Sequence, residues 1–278
     1  MKTSFLVMLL VVGGINQAAA NWGRNPKFDN YFTVKEQPTL RQEDVSLDPL
    51  EVIQSALESA SVEELKVQIY SLLNFEFHNE RYGYTNEPYN RKKHFGGWVN
   101  DPRDHDCYNT RAKVLMRDSL RPVDFASNGC TVVRGHWEDP YAGRDYTYAS
   151  DIQIDHFVPL KNAYISGAYK WNQTKRCLYG NFLGNDYHLL SVLGDENQTK
   201  SDKTPEEYMP PNRAYACQYL AQWLKVKLIW TLGLTPPEKD KVIELARQNN
   251  CKSTDFEFSA QELSQQRRFM ADNMDLCQ

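Results

Sequence analysis

The residues with the clearest chemical potential are an aspartate–histidine pair, Asp155 and His156, in a strand predicted over Tyr146 to Phe157. Strand alternation places Ile152 and Ile154 on one face and Asp155 on the other. The pair thus sets a hard oxygen ligand beside an imidazole at the end of an apolar strand. Many such pairs are ordinary surface residues, so a functional role needs support from elsewhere in the chain.

That support comes from a second polar group further along the chain. The apolar run from Leu189 to Leu193 predicts a short strand, and the polar stretch after Gly194 predicts a helix that carries Asn197 and Lys200. For Lys200, contact with a phosphate and simple exposure to solvent are equal alternatives.

Together, the two segments resemble the HNH (His-Asn-His, ββα-metal) endonuclease superfamily, and most closely a branch of secreted bacterial and fungal proteins. The resemblance spans about residues 98 to 232 and rests on several matching blocks in order. Apart from Asp155 to Leu160 and Asn185 to Lys203, the blocks are Asn109-Thr110-Arg111, Gly135-His136-Trp137, Pro140-Tyr141-Ala142-Gly143, Ser166-Gly167-Ala168, Trp171, Pro210-Pro211-Asn212 and the helix with Cys217.

The resemblance implies roles for individual residues. Asp155 and Asn197 correspond to metal ligands, and His156 corresponds to the general base that activates water. His188 stands where the family has an asparagine that orients the loop of the catalytic histidine. His188 and Lys200 are therefore assigned supporting catalytic roles, and the exchange at His188 puts full activity in doubt. The oxygen ligands favour Mg²⁺, with Mn²⁺ or another hard cation as alternatives.

Charge and composition limit how such a protein could bind its substrate. The 278 residues are 41% hydrophobic and 24% charged, which supports a sizeable core and argues against disorder. With 32 Lys and Arg against 36 Asp and Glu, nucleic acid could bind only at a local basic surface. Two basic groups are candidates for such a surface, although charged loops are usually just solvated. The first is Arg91, Lys92 and Lys93, flanked by the aromatic rings of Tyr89, His94 and Phe95. The second is Lys161, Lys170, Lys175 and Arg176.

The N-terminus predicts secretion. The first twenty residues combine Lys2, an apolar run from Phe5 to Val12 and three alanines before Asn21, as in a signal peptide. This run is too short to span a bilayer. We divide the remainder into an N-terminal arm with helices (21–97), an HNH-like nuclease domain (98–232) and a C-terminal helical extension (233–278) packed on the same domain.

The six cysteines predict disulfides, because an even number follows a signal peptide. Proximity in sequence favours Cys107–Cys130 and Cys251–Cys277, which leaves Cys177–Cys217, although other connectivities stay open. Sequons at Asn172 and Asn197 could carry N-glycans in a eukaryotic host.

The sequence as a whole predicts a disulfide-stabilised α+β protein with a ββα-metal (HNH) core, a small antiparallel sheet and helical additions at both ends. Its predicted function is that of a secreted, monomeric endonuclease that hydrolyses DNA with low sequence specificity and has no membrane partner. RNA is an alternative substrate. Two other functions compete: a catalytically impaired secreted binding or effector protein on the same fold, and a glycosidase.

Overall fold

A computed structural model describes residues 87–277, and the predicted signal peptide and most of the N-terminal arm lie outside this range. The described residues form an α+β fold with small antiparallel sheets, as predicted. None of their helices has the length and apolarity needed to cross a bilayer. The elements are α1 (Arg91–Phe95), α2 (Thr110–Asp118), β1 (Asp124–Phe125), β2 (Val132–Asp139), β3 (Arg144–Tyr148), β4 (Ile152–His156), α3 (Leu160–Ile165), α4 (Gln173–Gly180), β5 (Leu189–Leu193), α5 (Gly194–Lys200), α6 (Ala216–Trp230), α7 (Pro236–Gln248) and α8 (Ala260–Asp272).

The strands form two separate antiparallel sheets, one of β1, β2 and β3 and the other of β4 and β5. The prediction of one strand over Tyr146 to Phe157 is therefore wrong. The chain turns after Tyr148, because the carbonyls of Tyr148 and Ala149 accept hydrogen bonds from the amides of Asp151 and Ile152. This turn frees β4 to leave the first sheet and pair with β5.

The β4–β5 pair and α5 bring the two predicted halves of the site together. In the antiparallel register, Asp155 lies opposite Leu190 and His156 lies opposite Leu189. Helix α5 follows β5 without a loop and packs against β4. Gly194 allows this close approach, since a Cβ there would lie 3.2 Å from Nε2 of Gln153 in β4.

The buried core around this unit has two parts. Ile152 and Ile154 of β4 pack with α2 and with Trp137 of β2 in a largely aliphatic cluster. A second, aromatic cluster fills the space between α4 and α6 and includes Tyr179 and Trp230. The unit is therefore held from both sides, which gives the side chains at the end of β4 fixed positions.

Three disulfides confirm the expected oxidised cysteines, but only one predicted pair is correct. Cys107–Cys130 forms as expected, whereas the other pairs are Cys177–Cys277 and Cys217–Cys251. The predicted Cys251–Cys277 and Cys177–Cys217 pairs are wrong, because α7 packs on α6 and brings Cys251 beside Cys217. The C-terminal turn instead contacts α4, where Cys177 lies.

Candidate active site

The predicted metal ligands and the predicted base line one cleft of about 420 Å³. Asp155 and His156 reach it from the end of β4, and Asn197 reaches it from α5. The antiparallel pairing of β4 with β5 places these residues together although they are far apart in sequence. Other residues that line the cleft include Tyr89, Arg91, Lys161 and Asp202.

His156 has one ring nitrogen held and the other open. Its Nε2–H donates to the carbonyl oxygen of Gly180 at 3.0 Å. Nδ1 makes no hydrogen bond within the described residues and is not among their fully buried unpaired atoms. The lone pair of the neutral ring therefore lies on Nδ1, the nitrogen left accessible in a residue that lines the cleft.

Stacking on Trp98 orients this imidazole, and burial keeps it neutral. The indole ring of Trp98 stacks on His156 with a centroid separation of 5.3 Å and an interplanar angle of 4°. Burial lowers the pKa of His156 to about 3, although the hydrogen bond to Gly180 opposes the shift. The ring is thus neutral at neutral pH and free to accept a proton, but so low a pKa makes it a weaker base than an ordinary imidazole.

Asp155 is a buried carboxylate with both oxygens engaged. Oδ2 accepts a hydrogen bond of 2.7 Å from the Tyr141 hydroxyl, and Oδ1 accepts one of 2.9 Å from Nζ of Lys200. Burial raises the pKa of Asp155, and the Lys200 charge and both hydrogen bonds oppose that rise. Because each carboxylate oxygen has two lone pairs, these contacts orient Asp155 and still leave lone pairs for another ligand.

Lys200 is fully buried beneath the cleft, so the alternative of a solvated lysine is wrong. Besides Asp155, its ammonium donates to the carbonyl oxygen of His156 at 3.1 Å. A single buried cation thus ties together the backbone and the carboxylate of the Asp155–His156 pair. In this arrangement Lys200 faces the aspartate and does not line the cleft.

Asn197 is oriented by its neighbour on β4. Its Nδ2 donates to Oε1 of Gln153 at 2.9 Å, which leaves the amide oxygen for another contact. The carboxylate of Asp155 and this amide oxygen are hard donors beside an open cleft that can admit water. Such a sparse oxygen set fits Mg²⁺, which usually keeps several waters.

His188 is buried among the aromatic rings of Tyr179, Phe182 and Trp230, outside the set of residues that line the cleft. Its Nε2–H donates to the carbonyl oxygen of Tyr179 at 2.8 Å, one residue before the carbonyl that holds His156. The two imidazoles therefore bind adjacent carbonyls at the C-terminal end of α4, whose last carbonyls have no partner within the helix. His188 is placed to support His156 through α4.

Other residues singled out from the sequence lie away from this site. Arg111 donates to the carbonyl oxygens of Ala149 and Ile152, and His136 pairs with Asp145. In the Asp-rich segment from 101 to 106, the carboxylates bond nearby side chains and amides, and no three-ligand metal cluster occurs there within the described residues.

Sequence reasoning missed the roles of Tyr141, Gln153 and Trp98. Tyr141 belongs to a block that carried the family resemblance, which was the available signal for its importance. Gln153 lies on the same strand face as Asp155, so its direction was predictable, but its bond to Asn197 was not. Nothing local to Trp98 indicates that it stacks on a residue far along the chain.

Comparison with known proteins supports the relationship inferred from the motifs. The family described as GmrSD restriction endonucleases, C-terminal domain, matches residues 109–245. An uncharacterized secreted protein of Arthroderma benhamiae is 40% identical over 144 residues, which cover 51% of this chain and 68% of that protein. No solved structure matches this chain. The chain belongs to the HNH-related, nuclease-type family of the GmrSD restriction endonuclease C-terminal domain.

Proposed function

We propose that this protein is a metal-dependent endonuclease that hydrolyses phosphodiester bonds of DNA, with RNA as an alternative substrate. The β4–β5–α5 unit would be its ββα-metal core. The observation that carries the proposal is the state of His156, whose Nε2 is fixed on Gly180 while Nδ1 stays accessible beside Asp155.

His156 would act as the general base. Nδ1 would take a proton from the water that attacks phosphorus, and the Gly180 carbonyl would keep the ring in the required tautomer. The stacked ring of Trp98 would prevent the imidazole from rotating as its charge changes. Lys200 and Tyr141 would keep the carboxylate of Asp155 in place beside the base.

Asp155 and Asn197 would hold the divalent cation, with Mg²⁺ as the first candidate and Mn²⁺ as the alternative. When bound, such an ion polarises the phosphoryl oxygen and stabilises the leaving oxygen. The hydrogen bond from the Asn197 amide nitrogen to Gln153 supports this assignment, because it occupies the nitrogen and leaves the amide oxygen available to a cation.

We also propose where and in what form this protein acts. The predicted signal peptide over the first twenty residues, the three disulfides and the secreted relative support export of this protein. We further propose that it acts as a monomer with weak sequence preference, through contacts mainly to the nucleic-acid backbone.

A non-catalytic function is the second candidate, favoured by His188 at the position of the family's asparagine. In that case the protein would bind nucleic acid or another partner without cleaving it. His188 does not line the cleft, and its ring bonds the carbonyl oxygen of Tyr179 in α4. This location favours the enzyme, because a histidine at this position still leaves Asp155, His156 and Asn197 together on the cleft.

A plasmid-nicking assay tests the proposal. Purified protein should convert supercoiled plasmid to the nicked form with added Mg²⁺ or Mn²⁺, lose this activity in EDTA and regain it when excess metal is restored. Cleavage at the full rate by metal-free protein would refute the metal dependence. No cleavage of DNA or RNA with any of these metals would favour the binding protein.

A further inference from the structure

We propose that Arg91 binds a backbone phosphate next to the one that is cleaved, and thus forms part of the substrate site. This inference deepens the proposed function and rests on it. Arg91 belongs to α1 and precedes residues 109–245, the part of the chain that matches the family. The family relationship therefore assigns it no role.

The position of Arg91 relative to the base is the first reason. Arg91 lines the same cleft as Asp155 and His156. Its Cζ lies 5.9 Å from the ring centroid of Trp98, and the same indole stacks on His156 at 5.3 Å. The guanidinium and the imidazole therefore both lie against the same indole, so a strand whose phosphate reaches His156 would pass near Arg91.

The charge of Arg91 is the second reason. Two cationic side chains line the cleft, Arg91 and Lys161. Lys161 forms an ion pair with Asp202, whereas the exposed guanidinium of Arg91 has no acidic partner within residues 87–277. A guanidinium presents a planar fork of donors that matches two phosphate oxygens. In a chain with a net charge of -4, an exposed cation with no acidic partner in the described part of the chain is well placed to attract a phosphate chain.

The third reason is the rigid attachment of α1 to the core. The side chain of Asn90 caps the helix by accepting from the amide of Lys93 at 2.9 Å. The ring of His94 stacks on Tyr164 with a centroid separation of 4.3 Å, and Phe95 is only 1% exposed. The backbone of Arg91 is therefore fixed before substrate arrives, which lowers the entropic cost of binding.

The same packing reduces the number of residues in this basic segment that could contact nucleic acid. His94 and Phe95 are buried and cannot stack on bases. Lys93 pairs with Glu87, and Lys92 does not line the cleft. Of the basic residues in α1, Arg91 alone lines the cleft, so the inference concerns one residue and not a general basic patch.

Binding in EDTA tests this inference without cleavage. Fluorescence anisotropy would measure the affinity of wild type, Arg91→Gln and Arg91→Lys for a labelled DNA duplex, and in parallel for an RNA strand, at several salt concentrations. Arg91→Gln should bind about 10-fold more weakly, and its log–log salt slope should fall by about one. Arg91→Lys should recover part of the affinity, since it keeps the charge but loses the fork.

Arg247→Gln provides a matched control, because Arg247 is exposed on α7 and does not line the cleft. It should bind as wild type does. Equal affinity and salt slope for Arg91→Gln and wild type would overturn the inference while leaving the nuclease proposal intact. If wild type neither binds nor cleaves either nucleic acid, the proposed function itself fails, and the inference fails with it.

Discussion

The cleft and the aromatic core both bury ionisable side chains, but they leave them in different states. In the cleft, His156 has an open Nδ1 and Asp155 has spare lone pairs. In the core, His188 is enclosed by aromatic rings, and Lys227 pairs with Glu238 beside Trp223. Burial and a shifted pKa occur in both regions, so neither identifies a functional residue. The cleft differs from the core because its buried side chains keep free lone pairs that solvent can reach.

Replacement of Asp155 should show the largest effect. Asp155→Ala removes a proposed metal ligand, so plasmid cleavage in Mg²⁺ should fall on the order of 10³-fold, which corresponds to several kcal/mol of lost transition-state stabilisation. Asp145→Ala is a suitable control, because Asp145 pairs with His136 on the exposed sheet. A folded Asp155→Ala protein that cleaves as fast as wild type would remove Asp155 from the site.

Two buried lysine–carboxylate pairs within residues 87–277 provide the next test. Lys200→Met and Lys227→Met each leave a buried carboxylate without its cation, so each should lower the free energy of unfolding by about 3–5 kcal/mol. Chemical denaturation would measure this loss. Only Lys200→Met should also lose nuclease activity per folded molecule, because only Lys200 orients Asp155. Equal specific activity in the two variants would contradict the positioning role of Lys200.

His188 should affect stability in acid more than catalysis. Burial lowers the pKa of His188 from 6.5 to about 3, so the folded protein keeps this ring neutral where the unfolded chain protonates it. Above pH 6.5 neither state binds this proton, so His188 does not reduce the free energy of unfolding. Between pH 6.5 and about pH 3 only the unfolded chain binds it, so the free energy of unfolding falls by about 1.4 kcal/mol for each pH unit of acidification. Nearby, Tyr179, Phe182 and Trp230 offer no compensating negative charge.

His188→Asn, which introduces the asparagine that the HNH resemblance leads us to expect at this position, should remove this part of the pH dependence. Urea denaturation of both proteins between pH 4 and 7 would measure the difference in slope. Parallel curves would show that His188 has the same pKa in the folded and unfolded states, which would contradict its burial as a neutral ring.

The smallest effect concerns glycosylation. Asn172 is exposed and caps α4, whereas the Asn197 amide bonds to Gln153 within the cleft. In a eukaryotic host, Asn172 should carry an N-glycan and Asn197 should not, because a glycan attached to the Asn197 amide nitrogen would fill the cleft. Peptide mapping of active secreted protein would measure occupancy. High occupancy at Asn197 would contradict its role as a ligand.

The parts of the site that the sequence predicts are those encoded locally. The alternation around Ile154, the apolar run before Gly194 and the polar helix that follows placed Asp155, His156 and Asn197 on the correct elements. The burial of Lys200 and the stacking of Trp98 depend on how distant segments pack, so no local pattern revealed them. The disulfide pairing failed for the same reason, since helix packing and not sequence proximity brings Cys217 to Cys251.

The most direct test compares the two histidines on one substrate. Initial rates of plasmid cleavage would be measured at neutral pH with Mg²⁺ for wild type, His156→Ala and His188→Asn, with circular dichroism to confirm folding. We expect His156→Ala to lose about 10²–10⁴-fold in rate, as for a missing general base, and His188→Asn to stay within a few-fold of wild type. Wild-type cleavage by a folded His156→Ala protein, or an equal loss in both variants, would contradict the assignment of His156 as the base.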